Sequence, residues 1–148
     1  MRSMRPGLYA FGVAAAFLGA TIYIGLVEQP ARLRLNGRAM IQEWKLSNRR
    51  GTLVMSGFAV LSAVIALVQF RQSGDVRWII GGTTILASWP YAYFVMMPVN
   101  VWLFAVQLGK PVSPVRRLMR EWGLLEWGHV LIGFAACSVF AWVLEMPP

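Results

Sequence analysis

The sequence predicts an all-α integral membrane protein, a four-helix bundle with a short amphipathic interfacial helix between spans one and two. Three observations predict it. Of 148 residues, 57% are apolar and only 14% charged, whereas water-soluble domains carry about 25% charged residues. The charges are confined to short stretches between long apolar runs. Those runs have membrane length, since a hydrocarbon core about 30 Å thick takes about 20 helical residues. Residues 8–27, 51–70 and 78–97 hold no Asp, Glu, Lys or Arg, and 123–144 hold only Glu126. This pattern excludes a disordered chain, a coiled coil and a soluble globular core.

Each element follows in order. The apolar run at 8–27 exceeds the roughly 7–15 residues of a secretory signal core, so it is expected to remain as the first span. Pro30 is expected to stop that helix. Met40, Ile41 and Trp44 among Arg38, Lys45 and Arg49 predict the short amphipathic helix on the membrane surface. The second span covers 51–70. The third runs uncharged from 78 to 108, too long for an upright span, and Pro90 and Pro98 predict a kink whose freed carbonyls need partners. The fourth covers 121–144, and residues 1–148 are expected to form one membrane domain. Gly12/Ala16 and Ala15/Gly19 allow close helix packing in the first span. Trp78, Trp102, Trp122 and Trp127 fall near predicted membrane interfaces, where aromatic belts form.

The charge is lopsided as well as sparse, with 14 Lys+Arg against 6 Asp+Glu. No nucleic-acid recognition motif accompanies it, so basic loops held against anionic headgroups are expected, with Lys45, Arg49 and Arg50 as headgroup contacts. Ten basic residues fall in the loops 28–50 and 109–120, and four (Arg2, Arg5, Arg71 and Arg77) on the other side. The positive-inside rule then places both loops in the cytoplasm and both termini in the periplasm of a bacterial inner membrane. The single Cys137 excludes a disulfide framework and is expected as a small buried hydrophobe.

Ionisable groups at membrane depth are costly and are functional candidates by default. This topology brings Glu28, Asn100, Glu126 and His129 to one leaflet. Glu126 and His129 are three apart and share a helix face, as in half of a carboxylate-bridged di-iron ligand set. His129 is the sole histidine, so the other half is missing. The pair is open to three readings: a local hydrogen-bonded pair, an acid/base unit, or ligands of a single metal ion, with Glu28 as a third ligand or with haem on His129. No cofactor is otherwise expected. Asn100 can hold a substrate oxygen or satisfy a carbonyl freed by Pro98. Trp89, Tyr91, Tyr93 and Phe94 form either a packing cluster or an aromatic binding box.

Several strings together carry a family resemblance. Tyr-Ile-Gly-Leu-Val-Glu-Gln-Pro-Ala-Arg (23–32), Glu-Trp-Lys-Leu-Ser-Asn-Arg-Arg-Gly (43–51), Trp-Pro-Tyr (89–91), Met-Pro-Val-Asn (97–100) and Trp-Gly (122–123) resemble a family of small bacterial membrane proteins, domain of unknown function 1772. That family is grouped with the fungal anthrone oxygenases. The resemblance runs from about Gly19 to Trp142. It implies oxygen-dependent conversion of anthrones to anthraquinones without an established metal or flavin. It also places Glu28, Trp44, Lys45, Arg50, Trp89, Tyr91, Pro98, Asn100 and Trp122 among recurrent positions. In the fourth helix Glu126 stands where the family has His, and His129 where it has Arg.

These readings support three functions. The first is an oxidoreductase for a lipophilic aromatic or quinone-like compound entering from the bilayer. Its candidate catalytic groups are Glu126, His129 and Glu28, and its candidate substrate-binding groups are Asn100, Tyr91, Trp89 and Trp44. The second is a non-catalytic subunit of a larger membrane complex. The third is a small proton-coupled transporter, which four short spans could form only as a homo-oligomer.

Overall fold

The computed structural model describes residues 5–106 and 112–146; Arg2 and Lys110, used above for orientation, lie outside them. Four helices are long and apolar enough to cross a membrane, over Pro6–Arg32, Gly37–Ser73, Arg77–Ala105 and Pro114–Glu145. No strand occurs among the described residues. The first helix packs on the second and fourth, and the third on the same two, while diagonal helices barely meet. The short turns at 33–36 and 74–76 make successive helices antiparallel, so the four form a square up-and-down bundle.

The second helix begins at Asn36, whose Oδ1 accepts the Ala39 N–H at 2.9 Å, and ends at Gly74 in the left-handed conformation (φ 76°). Between these caps it runs unbroken for 37 residues. The amphipathic segment is therefore not a separate surface helix. Met40, Ile41 and Trp44 are fully buried within the bundle. Periodicity identifies an apolar face but not whether lipid or protein will cover it, and no proline separates this face from the second span. The fourth helix likewise starts at Val112, so much of the basic stretch expected as loop at 109–120 is helical.

Pro30 does not stop the first helix. The chain widens into a π turn at Ile24–Glu28, where the Gln29 N–H reaches the Ile24 carbonyl, and then continues through Gln29–Arg32. The third helix repeats the device. A turn at Ala87 and the short helix Ser88–Tyr91 lead into a π turn at Ala92–Met96, where the Met97 N–H bonds the Ala92 carbonyl just ahead of Pro98. Proline lacks the donor for the carbonyl four residues back and crowds it; widening the preceding turn relieves both defects. π turns of this kind recur at functional sites.

Two apolar clusters fill the bundle. One contains Phe17, Ala59, Trp78, Ile85 and Phe140, with Trp78 stacked on Phe140 at 5.7 Å. Cys137 is buried in it as expected. The other holds Trp44, Leu103, Met119 and Trp122. Trp78 and Trp122 thus belong to the core rather than to an aromatic belt, whereas Trp102 and Trp127 are exposed.

At the end of the bundle near the first cluster, Arg77 holds Asp75 through Nη2 at 2.6 Å, donates to the Met146 carbonyl at 2.9 Å and stacks on Trp142. The side-chain hydrogen bond from Arg77 keeps the Asp75 carboxyl below its usual range. The unfolded chain therefore binds a proton more readily than the folded one. The stabilisation is present above the ordinary aspartate value of about 3.9 and is lost as pH falls through the lower folded value. Thermal unfolding in detergent between pH 2 and 6 should show a steeper acid loss for wild type than for Asp75→Asn.

Candidate functional site

Between the two clusters lies a cavity of about 110 Å³ that draws on every helix, among them Glu28, Gly51, Asn100, Glu126 and His129. Both π turns contribute to its wall, through Ile24 and Glu28 on one side and Ala92 and Met96 on the other.

Its most buried charge is Arg32, which the loop-charge argument assigned to the membrane surface. The side chain is 1% exposed. Its guanidinium binds Glu28 and Glu43, donates to Gln29 Oε1 at 2.8 Å and Ser47 Oγ at 2.9 Å, and lies 5.3 Å over the Trp122 ring. A planar fork with five donors and a stacking face suits such a site, where a lysine would not. Gln29 carries the network onward, donating from Nε2 to the Met119 carbonyl at 2.6 Å above Gly123, where a Cβ would collide with it. Acid-to-base spacing of four (Glu28, Arg32) was the available sequence signal for this pair.

Also on the cavity wall, His129 Nδ1 lies 3.2 Å from Glu126 Oε2, and Glu126 is buried. The imidazole is gripped edge-on by Tyr91 at 5.2 Å and Phe17 at 6.3 Å. Tyr91 does not line the cavity. Its hydroxyl donates to the Leu125 carbonyl at 2.7 Å, over Gly128, where a Cβ would clash. Tyr91 therefore seats the His129 ring rather than offering its proton to a ligand.

Asn100 does line the cavity, and its Oδ1 accepts the Trp122 indole N–H at 3.0 Å. Because an indole nitrogen only donates, this contact fixes the carboxamide orientation and leaves Nδ2 as a donor. Trp89 lines the cavity and is half exposed. Trp44 does not line it: the ring packs on Phe104 and Trp122, and its Nε1 finds no partner among the described residues. Lys45 donates to the Val106 carbonyl at 3.1 Å, tying the second helix to the end of the third. Arg49 and Arg50 are exposed, Arg49 with its guanidinium over Phe104.

Glu28 is brought to the same cavity as Glu126 and His129 but is engaged by Arg32. Among the described residues no three His, Cys, Asp or Glu side chains gather as a metal-ligand set, so the trio considered from the sequence does not assemble as one.

The family model for anthrone oxygenase matches residues 44–139. The chain belongs to the anthrone oxygenase family. A curated relative, anthrone oxygenase dmxR16 of Cryptosporiopsis sp. (strain 8999), is 28% identical over 129 residues, covering 79% of this chain and 74% of that protein. No solved structure matches the chain significantly. The matched segment contains Asn100, Trp122, Glu126 and His129, while Glu28 and Arg32 precede it.

Removing Arg32 from this family member leaves two carboxylates facing each other. Their partial exposure softens the penalty, so Arg32→Met should destabilise by about 2–4 kcal/mol, under the upper range for a buried pair. Arg32→Lys should recover little, because a point charge cannot serve four acceptors and stack on Trp122. Thermal unfolding of the three proteins in one detergent checks both expectations.

Proposed function

We propose that the cavity binds a lipophilic aromatic ketone or phenol with an acidic C–H, removes that proton, and presents the anion to molecular oxygen. The observation that carries this reading is the Glu126–His129 pair on the wall of a cavity that the Asn100 amide, held by Trp122, also lines. Family membership and the relative's name as an anthrone oxygenase support the same reading.

In this reading Glu126 accepts the Nδ1–H of His129, which leaves Nε2 as the unprotonated atom. Nε2 takes the proton from a ring methylene, and Asn100 Nδ2 donates to the oxyanion that forms as the charge delocalises. The electron-rich carbanion is oxidised by oxygen, forming a C–O bond and, after reprotonation, a hydroperoxide. Loss of water from the hydroperoxide yields the carbonyl, so one methylene and one O₂ become one C=O and one H₂O. The carbanion itself supplies the reducing electrons.

Anthrone turnover by the purified protein tests this directly. General-base removal typically costs about 10²–10⁴-fold, so His129→Phe should lower kcat by at least about 100-fold. Glu126→Gln should lower it less and shift the acid limb of the pH profile. Equal rates in wild type and both variants would remove the pair from the mechanism.

We further propose that the basic end of the bundle faces the cytoplasm of a bacterial inner membrane. Exposed Arg34, Arg38, Arg49 and Arg50 support this, even with Arg32 withdrawn into the core. A cysteine at Arg38 should then be labelled by a membrane-impermeant maleimide only after the cytoplasmic face is opened, and one at Val76 without opening it.

A further inference from the structure

The bundle is closed at two levels and open between them. Near the first cluster the second and third helices touch closely, with Gly82 against Ala63 and Ala66. Near the basic end they are bridged by the Trp44–Phe104 contact at 4.8 Å and by Lys45 on the Val106 carbonyl. Over residues 88–105 the third helix otherwise stands away from the second. The residues lining the cavity are buried or half-buried apart from Thr52 and Trp89, which are exposed and lie on these two helices.

Gly51 shows what the opening leads into. It lies on the inward line of the second helix that passes through buried Trp44 and Ala59, so close packing is expected around it. A Cβ there would nevertheless meet nothing within 4 Å, and the residue lines the cavity. Glycine weakens a helix interior, and here no neighbour requires its small size. The empty space beside it is the inner end of the opening.

We infer that the gap between the second and third helices is a lateral portal, through which a planar lipophilic aromatic molecule passes from the bilayer into the cavity between Thr52 and Trp89, with Gly51 setting the thickness admitted. Trp89 offers a flat face on the lipid side. Arg49 and Arg50, one turn or less from Thr52, place the mouth beside the headgroups on the basic side. This inference rests on the proposed oxygenase reading only for the choice of ligand class.

The test is the rate at which anthraquinone, a planar and non-reacting probe, associates with the protein in phosphatidylcholine vesicles, read by stopped-flow quenching of tryptophan fluorescence. Thr52→Trp and Gly51→Phe should each slow association at least tenfold. Leu53→Trp, on the exposed face beside them, should bind as wild type does, and thermal unfolding should be unchanged in the variants compared. Thr52→Trp carries the test alone if Gly51→Phe does not fold. An association rate unaltered by either blocking variant, an equal slowing in Leu53→Trp, or no binding by wild type would overturn the portal. Portal-dependent binding without anthrone turnover would instead remove the oxygenase reading and leave the portal standing. Turnover that persists in both blocked variants would do the reverse.

Discussion

The end of the bundle that holds the cavity depends on the burial of one cation. Arg32 is taken from the end of the first helix into the protein, and its charge is met by Glu28 on the same helix and Glu43 on the second. Its face lies on Trp122 of the fourth helix, and the Trp122 indole holds Asn100 of the third. One guanidinium therefore links all four helices through bonds of fixed direction. In a lipid setting, helices gain little from hydrophobic attraction to one another and associate through packing and polar contacts. That gives this network its weight in positioning the Glu28 and Asn100 walls of the cavity.

The cavity also requires that the helices not pack perfectly. The two π turns lie ahead of Pro30 and Pro98 at equal spacing, and each adds width where a regular turn would have brought walls together. The close approaches lie elsewhere: Trp78 over Gly7, Phe140 over Gly81, Gln29 over Gly123 and Tyr91 over Gly128. Space is thus absent where small residues accept large neighbours and present where Gly51 meets none. The same arrangement holds the His129 ring between Tyr91 and Phe17 while its Nδ1 faces Glu126.

In Glu126 and His129 this family member has an acid and a base where the resemblance predicts His and Arg. The exchange puts a carboxylate 3.2 Å from an imidazole on one face of the fourth helix.

Four apolar windows, the E-x-x-H spacing and the proline positions were legible from the amino acids alone, because hydropathy length, helical period and the missing proline N–H are local properties. Glu28, Asn100, Glu126 and His129 were expected in one leaflet, since span length and alternation of direction set depth without knowledge of helix order; that they line one cavity came from the structure. Local pattern failed where the same residue satisfies two environments. Arg32 reads equally as a headgroup contact or a buried cation, Trp44 as an interfacial anchor or a core indole, and Tyr91 as a ligand donor or a brace. Only the tertiary structure decided these, because each depends on whether a partner from another helix arrives: Glu43 for the guanidinium, Phe104 for the indole, the Leu125 carbonyl for the phenol. The sequence by itself determined the spans and the polar groups they carry; helix packing determined which of those groups face the cavity.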